Sequence, residues 1–374
     1  MRKLFSRYLP GSLLLIYLVM LLWTCGGGGG GNGVQLAFSQ ADLAGTWDAI
    51  EFSTGNNFGW LRADVTVDGS GNIFINNSTD STGLTYSGPP PLDIQTKWVV
   101  DGSGTIREYD TSSSPNVLNP SLYGHLASNK RFVVATDNDA SFNYSLIVIR
   151  KRDASVTFGD GDIRGKSFTY HQLYGGPDNV WTYGFGSIDF GGRVTLDNAV
   201  EPSGALPGYP LDNITTLVVD SAGIVTNPPD NDLYGWLTND KNTIFALIDD
   251  PVGHSMYQFI VIQFLGRTYA QADLAGTWRF NVLYGWNAPG WVKGSWTIDT
   301  AGAATYDNTT FLTDMGSTVP PTTPEVISLA SDGTIANSSS TTYHGMLSAG
   351  GDLYVRTRSH GTPPTRYSIG ISVK

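Results

Sequence analysis

The stretch Gln40-Ala-Asp-Leu-Ala-Gly-Thr-Trp47 occurs a second time, unchanged, as Gln271-Ala-Asp-Leu-Ala-Gly-Thr-Trp278. A weaker copy, Phe158-Gly-Asp-Gly-Asp-Ile-Arg-Gly-Lys-Ser-Phe168, lies between them. In each copy a tryptophan follows 13 residues after the last aromatic residue, and an aspartate follows 8 residues after that tryptophan. The tryptophans are Trp60, Trp181 and Trp291, and the aspartates are Asp68, Asp189 and Asp299. This constant spacing indicates three tandem copies of one unit.

The composition is typical of β-structure. Of 374 residues 45 are Gly, 12% are aromatic and only 15% are charged, a mixture that favours half-buried strands joined by tight turns. Each unit carries eight apolar strand segments separated by polar or Gly-bearing turns. Consecutive hairpins form an up-and-down meander, whose exposed edges disappear when it closes. The sequence therefore predicts an all-β protein of three tandem eight-stranded antiparallel β-barrels.

The rival architecture is a six-bladed β-propeller with four-stranded blades. A propeller predicts self-similarity at about 55 residues, whereas the strong repeat here is about 115 residues. The expected boundaries are therefore a signal peptide at 1–24, a cysteine and Gly-rich tether at 25–36, and barrel units at 37–152, 157–265 and 268–374.

The Ala-Gly-Thr-Trp motif, Ala44 to Trp47 and Ala275 to Trp278, resembles the opening Gly-x-Trp of lipocalins and the Gly-Thr-Trp of avidins. The resemblance covers a few residues per unit, and unit two has no tryptophan at this position. It implies calycin-type barrels with one closed end and one open, ligand-admitting end. No set of residues matches the biotin contacts of avidins, so that ligand is not carried over.

The amino-terminal segment predicts export. Arg2, Lys3 and Arg7 precede an apolar run from Leu13 to Trp23, and Cys25 is the only cysteine. The apolar run is shorter than the ~20 residues of a membrane-spanning helix, so it is typical of a signal peptide.

The segment Leu22-Trp-Thr-Cys25 resembles the lipobox of bacterial lipoproteins, in which the cysteine is acylated and becomes the first mature residue. Leu22 fits the pattern, whereas Trp23 and Thr24 depart from the small residues usual there. The alternative is an ordinary signal peptide with an incidental cysteine. The glycines from Gly26 to Gly31 form a flexible tether directly after Cys25. We therefore predict a lipid anchor at Cys25, and the residue after it, Gly26, implies sorting to the outer membrane of a Gram-negative cell.

The charge restricts the partners. Loss of residues 1–24 removes three basic residues from 22 and none of the 33 acidic ones, which leaves a net charge of 19 − 33 = −14. Such a surface disfavours nucleic acid. The remaining partners are the membrane that holds the lipid anchor, a small apolar or sugar ligand, and another protein.

Motifs for catalysis are absent from the sequence. It contains no Gly-x-Ser-x-Gly and no His-Glu-x-x-His, and the five histidines are scattered. Sequences such as Asp68-Gly-Ser-Gly-Asn72 are typical of Asp-Gly hairpins rather than calcium loops, because no closing Glu follows them. We therefore predict no enzyme activity, no metal and no cofactor.

Six aromatic residues are the candidate binding residues at the open rim. They lie after or within the first loop of each unit: Trp60, Trp181, Trp291, Tyr174, Tyr284 and Trp286. Such rings could stack on sugars or planar apolar ligands. Strand parity offers an alternative, in which Trp60 and Trp291 point outward at a contact between units. Long, Pro-rich loops at 76–92, 197–211 and 307–325 would carry function at the same end.

These features support three functional hypotheses. The first is a non-enzymatic, membrane-anchored lipoprotein that presents three barrels for ligand or partner binding. The second is a purely structural spacer of the cell envelope. The third, a hydrolase using loop carboxylates (Asp230, Asp232, Asp249 and Asp250), ranks last.

The last strands also predict how the units are arranged. In units one and two these strands are apolar on both faces, which predicts a semi-rigid rod with Ile147, Ile260 or Ile262 at the junctions. In unit three the polar face of Ser368, Gly370 and Ser372 is expected to meet water.

Overall fold

The computed structural model describes residues 37–139, 143–176, 180–202, 204–205, 216–249, 257–285, 289–314, 320, 325–360 and 366–374. Cys25 and Trp286 lie outside these residues. Unit one is a closed barrel in which each strand pairs with its sequence neighbours and the first pairs with the last. Its strands are β1 Gly45–Gly55, β2 Gly59–Val67, β3 Asn72–Asp80, β4 Thr85–Val100, β5 Thr105–Asp110, β6 Val117–Leu126, β7 Phe132–Asn138 and β8 Asn143–Lys151.

Unit two is a curled sheet of nine strands with the same antiparallel order. A short 3-10 helix at Asp160–Asp162 precedes it. The two ends of the sheet are β12 and β13, which flank the undescribed residues 206–215. The strands are β9 Lys166–Gly175, β10 Trp181–Ile188, β11 Val194–Glu201, β12 Gly204–Ala205, β13 Val218–Val219, β14 Ile224–Thr226, β15 Leu233–Leu237, β16 Thr243–Asp249 and β17 Tyr257–Phe264.

Unit three is a ring of eight strands closed by the pairing of β18 with β19, and the two-residue strand β21 adds to the edge of β19. Its strands are β18 Gly276–Tyr284, β19 Gly290–Ile298, β20 Ala303–Tyr306, β21 Leu312–Thr313, β22 Glu325–Leu329, β23 Thr334–Asn337, β24 Ser340–Leu347, β25 Leu353–His360 and β26 Arg366–Val373. The all-β prediction is confirmed, and units one and three close into eight-stranded rings as predicted, whereas the described strands of unit two form a sheet that is not closed. The propeller alternative is wrong, because each unit wraps around its own core.

The repeated Gln-Ala-Asp-Leu motif forms a one-turn helix that plugs one end of a barrel. The helices are α1 Gln40–Leu43 and α2 Gln271–Leu274. Gln40 donates to the carbonyl of Trp98 at 2.9 Å and accepts from the amide of Val100 at 3.2 Å. The indole of Trp47 donates to the carbonyl of Leu43 at 2.8 Å. Unit three repeats all three bonds with Gln271 and Trp278.

An aromatic residue before each plug covers a glycine in the turn below it. Phe38 lies on Gly104, Phe158 on Gly223 and Tyr269 on Gly333. A Cβ on any of these glycines would come within about 3 Å of the ring, and all three have a positive φ. We call the end with the plugs the closed end and the opposite end the open end.

The three units share one apolar core, which we call the central cluster. It combines residues of all three units: Ile50, Phe52, Ala127, Phe132, Val134, Leu146, Val148, Leu173, Trp181, Tyr183, Trp236, Phe245, Leu247, Phe259, Val261, Leu283, Leu353, Val355, Ile369, Ile371 and Val373. Phe132 of unit one lies 5.0 Å from Phe245 and 5.9 Å from Trp236 of unit two, measured between ring centroids. The units therefore pack around a common centre, and the predicted rod is wrong.

The residues assigned to the junctions were on the wrong strand face. Ile147 and Ile260 lie inside their own barrels, as does Ile262, and their sequence neighbours reach the central cluster. The two strand faces were also interchanged in the prediction for unit three, where Ile369 and Ile371 are part of the central cluster. Ser368, Gly370 and Ser372 alternate with them and line the interior of the barrel. The polar face of this strand is therefore internal and was wrongly assigned to the outer surface.

The long loop expected at 76–92 in unit one is largely strand. β3 and β4 continue through it and leave a short turn at 81–84, where Asp80 accepts amide hydrogens from Thr82 and Leu84. The corresponding loops of units two and three lie partly outside the described residues. Among the described residues, no helix is long and apolar enough to cross a membrane.

We predict that a cavity in the central cluster weakens two units at once. Phe259 of unit two lies 6.0 Å from Phe52 of unit one, so Phe259→Ala should lower the free energy of unfolding by about 3–5 kcal/mol. Native-state hydrogen exchange should accelerate in β1 and β8 as well as in β17. The adjacent Ile260→Ala, which faces the interior of unit two, is the matched control and should act within unit two. Acceleration confined to unit two in both variants would contradict a shared core.

Candidate functional site

The three tryptophans at repeat-equivalent positions lie at the contacts between units, which we call seams. Trp181 is 1% exposed, and its indole donates to Ser359 Oγ of unit three at 2.8 Å. Trp291 is 3% exposed and donates to Asn138 Oδ1 of unit one at 3.0 Å. Trp60 is half-buried and packs against the central cluster. Trp181 and Trp291 therefore match the alternative of an inter-unit contact, whereas Trp60 lines both a seam hollow and the hollow at the open end of unit one.

Two residues after each tryptophan, a second side chain crosses the same seam. Arg62 of unit one lies 4.1 Å from the ring centroid of Tyr234 in unit two. Tyr183 of unit two stacks on His344 of unit three at 4.9 Å. The third pair is Lys293 of unit three, whose Nζ lies 3.5 Å from the ring centroid of Tyr123 in unit one. Each unit thus contacts the next in the same way, and unit three contacts unit one, so the ring of three is complete.

The predicted tyrosines are also buried. Tyr174 is 1% exposed, and its hydroxyl donates to Gln172 at 3.3 Å inside unit two. Tyr284 is half-buried, with its ring 5.0 Å from that of His360 in unit three, and its carbonyl accepts from Thr54 of unit one at 2.8 Å. These two residues therefore contribute to packing inside and between units.

The seam between units three and one holds several cations. Arg107 and Lys293 lie against Tyr123, with cation-to-centroid distances of 4.2 and 3.5 Å. Burial and the charge of Arg107 lower the pKa of Lys293 to about 7. Burial, followed by the nearby charges of Lys293, Arg279 and Arg107, holds the pKa of His125 well below its ordinary value. His125 is therefore neutral at physiological pH, and this seam is sensitive to pH through Lys293.

A cavity of about 470 Å³ lies where corresponding turns of the three units meet at the closed end. We call it the axial funnel. Its lining comes from equivalent positions in the three units: Ala127, Asn129, Arg131, Phe132, Arg150, Thr238, Asn239, Asp240, Thr243, Ser348, Gly350, Asp352, Leu353 and Val373. The volume lies within the range of small-molecule sites, and the floor is apolar with a polar rim.

Hydrogen bonds between units hold the rim of the axial funnel. Asn129 donates to Asp352 Oδ2 at 2.8 Å, which joins units one and three. Asn239 donates to the carbonyl of Lys151 at 3.0 Å, which joins units two and one. The amide of Ser128 donates to the carbonyl of Lys374 at 2.8 Å. The funnel therefore exists only when all three units are assembled.

A buried arginine forms one wall of the axial funnel. Arg150 is 1% exposed and donates to Asp48 in its own unit. It also donates to the carbonyls of Leu237 and Ala222 in unit two, at 2.5 and 2.8 Å. Arg152 donates to the second oxygen of Asp48 at 2.6 Å. Because its donors are engaged within the protein, Arg150 is a structural group and leaves ligand contacts to the rim.

The interior of unit one contains a buried carboxyl group. Glu108 accepts from the indole of Trp98 at 3.0 Å and from Asn119 at 2.7 Å. Burial, with a smaller contribution from Asp137, raises the pKa of Glu108 to about 8. The 220 Å³ hollow at the open end of unit one is lined by Glu51 and Trp60 and not by Glu108. Among the described residues, no group of three or more His, Cys, Asp or Glu could hold a metal ion.

Two of the four carboxylates considered for hydrolysis, Asp232 and Asp249, lie together at one seam, and the amide of Asp249 donates to the carbonyl of Asp232 at 2.8 Å. Asp232 accepts from Asn227, and Asp249 and Asp232 both line a seam hollow of about 210 Å³ together with Trp60 and Tyr234. Asp250 lies outside the described residues. The hairpin aspartates accept amide hydrogens of their own turns, as in the bonds from Ser70 and Asn72 to Asp68 at 2.8 and 2.9 Å.

Sequence reasoning did not find the axial funnel, because its lining is assembled from short turns that carry no motif. The sequence predicted binding residues at the opposite, open end. In units one and three an apolar residue follows the turn, Phe132 in unit one and Leu353 in unit three. This residue is the sequence signal from which an apolar funnel floor could have been predicted. In unit two the equivalent position is Thr243.

No protein-family model matches the chain, and no curated protein matches it. Weak similarities exist to solved structures. Transferrin-binding protein B of Neisseria meningitidis serogroup B is 10% identical, with a TM-score of 0.24 over 88% of this chain and 75% of that one. A variant of the same protein from Haemophilus parasuis is 7% identical, with a TM-score of 0.27 over 87% and 74%. Kievitone hydratase of Nectria haematococca is 9% identical, with a TM-score of 0.17 over 91% and 92%. At these TM-scores the similarities establish neither a family nor a function.

We predict that the stability of the protein rises between pH 7 and 9 because of Lys293. Its folded pKa of about 7 lies below the ~10.4 of an unfolded lysine, so the unfolded chain binds more protons in this window and folding gains as the pH rises. Lys293→Met should raise the melting temperature at pH 6 and flatten its dependence on pH.

The matched control is Arg62, which occupies the equivalent position in unit one and carries a guanidinium, a group that does not lose its proton in proteins. Arg62→Met should shift the melting temperature without changing its slope against pH. An unchanged slope in Lys293→Met would show that this lysine is ordinarily charged in the seam.

Proposed function

We propose that this chain is a non-enzymatic binding protein, exported and anchored in the outer membrane through an acylated Cys25. Its three-unit body is held by the closed end, so that the axial funnel lies on the membrane side and the open end faces away from the membrane. The observation that carries the proposal is the position of the first described residues at the closed end, directly after the Gly-rich tether.

The amino terminus of the body is fixed beside the closed-end turns. The amide of Phe38 donates to the carbonyl of Gly102 at 3.4 Å, and Lys130 Nζ lies 3.5 Å from the carbonyl of Ala37. Both partners lie in turns at the closed end. The chain therefore leaves the body on the side of the axial funnel and away from the open end.

The tether allows limited separation from a membrane. Twelve peptide units separate Cys25 from Ala37, and at ~3.3–3.6 Å per residue they reach about 40 Å when fully extended. A Gly-rich chain of this length has a typical end-to-end distance of about 20 Å. The closed end would therefore stay near the bilayer, with the open end one barrel length farther out.

Binding is favoured over a purely structural role by the axial funnel. A spacer needs only packed cores, whereas about 470 Å³ is a volume suited to a small molecule or a partner side chain. The funnel has an apolar floor with Phe132 and Leu353 and a rim with Arg131, Asp240 and Asp352. Such a lining suits an amphipathic ligand or the side chains of a protein partner.

We predict that the protein incorporates fatty acid through Cys25. Cells supplied with an alkyne-tagged palmitate should yield a labelled band after coupling to a fluorophore, and Cys25→Ser should abolish the label. Ser39→Cys is a useful control, because it adds a thiol beyond the lipobox and should leave labelling unchanged. A mature protein that is unlabelled would rule out the anchor.

We also predict the orientation of the body on the membrane. In the acylated protein, single cysteines in place of Ser70 and Thr82 place a donor fluorophore at the closed and open ends of unit one. The two ends are separated by strands of about nine residues, roughly 30 Å at ~3.3 Å per residue. In vesicles with an acceptor-labelled lipid, energy transfer should be stronger from position 70. Equal transfer from both positions would contradict the orientation.

A further inference from the structure

The interior of unit three differs chemically from those of the other two units. Strand pairing places Arg356 opposite Gly370, and the equivalent pairs are Ala135 with Ile147 and Ala246 with Ile260. The repeat therefore has a small apolar residue where unit three has an arginine. The next inward-facing position on the last strand is also more polar in unit three. It is Ser372 there, whereas units one and two have Ile149 and Ile262.

Arg356 is surrounded by aromatic rings inside the barrel. Its guanidinium carbon lies 5.1 Å from the ring centroid of Trp296, 5.6 Å from Phe280, 5.8 Å from Tyr343 and 5.9 Å from Tyr354. We call these five residues, together with Ser372, the basic cage. The glycine on β26 makes room for the arginine, because a Cβ on Gly370 would lie 3.1 Å from Arg356 Nε.

The basic cage contains hydrogen-bond donors that lack acceptors. Among the described residues no partner is found for Arg356 Nη1, Trp296 Nε1, Tyr354 Oη or Ser372 Oγ, and all four atoms are buried. Trp296 and Tyr354 stack with ring centroids 6.2 Å apart. Buried donors are normally satisfied by protein, water or a bound group, so the cage offers several donors to an acceptor-rich molecule.

The neighbouring arginine, Arg358, differs from Arg356 in having a carboxylate partner inside the same barrel. Arg358 Nη1 lies 3.1 Å from Glu325 Oε1, and the other oxygen of Glu325 accepts from Tyr306 at 2.9 Å. Arg356 has no such carboxylate among the described residues. Arg356 is half-buried, with its Nη1 atom inaccessible to solvent, and a guanidinium without a carboxylate partner in such surroundings is stabilised by an anion.

A row of cationic and polar groups leads from the basic cage toward the open end. Arg356, Arg358 and His360 alternate along β25 on the face opposite to Thr357 and Ser359, which lie in the seam. Burial, followed by the charges of Arg358, Arg356 and Arg366, lowers the pKa of His360 to about 3. His360 is therefore neutral at physiological pH and Arg358 is paired with Glu325, so the charge available to an incoming anion is that of Arg356.

We propose that the basic cage in the interior of unit three binds a small organic anion, with its acidic group on Arg356 and an aromatic or unsaturated body against Trp296 and Tyr343. The proposal rests on the proposed binding function and gives it a ligand class. A bidentate contact with a carboxylate or sulfonate would engage the fork of the guanidinium. Stacking on the indole and phenol rings would hold a planar body.

The test uses the mature chain without acyl groups, residues 26–374, which keeps every described residue. The probe is anilinonaphthalenesulfonate, a fluorescent aromatic sulfonate, and its neutral analogue is N-phenylnaphthylamine. The wild-type chain should bind the sulfonate at a site that depends on Arg356, whether or not a second site in the axial funnel also binds it, and the Arg356-dependent site should bind the neutral analogue at least tenfold more weakly. Arg356→Ala, which installs the residue of the other two units, should weaken sulfonate binding about 10- to 100-fold, and Arg356→Lys should weaken it less.

Arg107→Ala is the matched control, because Arg107 also lies on a tyrosine but outside the barrel interiors, and it should change the affinity less than twofold. If Arg356→Ala fails to fold, Tyr354→Phe removes one buried donor and should weaken binding roughly 2- to 10-fold. Equal binding of both probes, or an affinity unchanged by Arg356→Ala, would overturn the proposal. Acylation at Cys25 and orientation on vesicles do not involve Arg356, so failure here leaves the anchored binding protein intact.

Discussion

The structure depends on the central cluster, in which strands from all three units bury a second apolar face. A barrel normally needs only its interior face to be apolar, because water covers the outside. Here β8, β17 and β26 each present alternate side chains to two cores, their own barrel and the shared centre. This requirement explains why Leu146 and Ile147, or Phe259 and Ile260, are both large and both buried. It also holds the units in a closed ring, since each seam repeats the contacts of the previous one.

The ring leaves unit three free to differ on its inner face. Its outer face must still match the central cluster, and Ile369 and Ile371 meet that requirement. The alternate residues of β26 face the barrel interior and tolerate Gly370 and Ser372, which make space for Arg356. On this one strand, the residues that face inward determine the chemistry of the barrel interior. The residues that alternate with them face outward and hold unit three against the other two units. A unit can therefore change the residues of its interior and still keep its contacts with the other two units.

Much of the fold is present in the sequence, because the repeated Gln-Ala-Asp-Leu-Ala-Gly-Thr-Trp motif and the spacing to Trp60, Trp181 and Trp291 set the register. The up-and-down order follows from hairpin signals, as does the eight-stranded closure of units one and three, whereas the described strands of unit two form a nine-stranded sheet that is not closed. The packing of the units did not follow, since Phe259-Ile-Val-Ile262 is apolar at every position and its parity cannot be assigned from the pattern alone. The basic cage was missed for the related reason that the alternation in β26 was assigned to water. The axial funnel arises from turns far apart in the chain, so no local pattern predicts it.

The plug at the closed end of unit one also determines how mechanical load would enter the molecule. If the chain is tethered as proposed, a pull acts first on Phe38 and Gln40, whose contacts include a ring on Gly104, an amide bond to the carbonyl of Gly102 and two hydrogen bonds to the strand that carries Trp98. These contacts break one after another when peeled, whereas the strands of the barrel are sheared together. Behind them, α1 is held by the fully buried Leu43 and by the ion pair of Asp42 with Lys130 at 3.0 Å, so these contacts would carry the load before it reached the strands of the barrel.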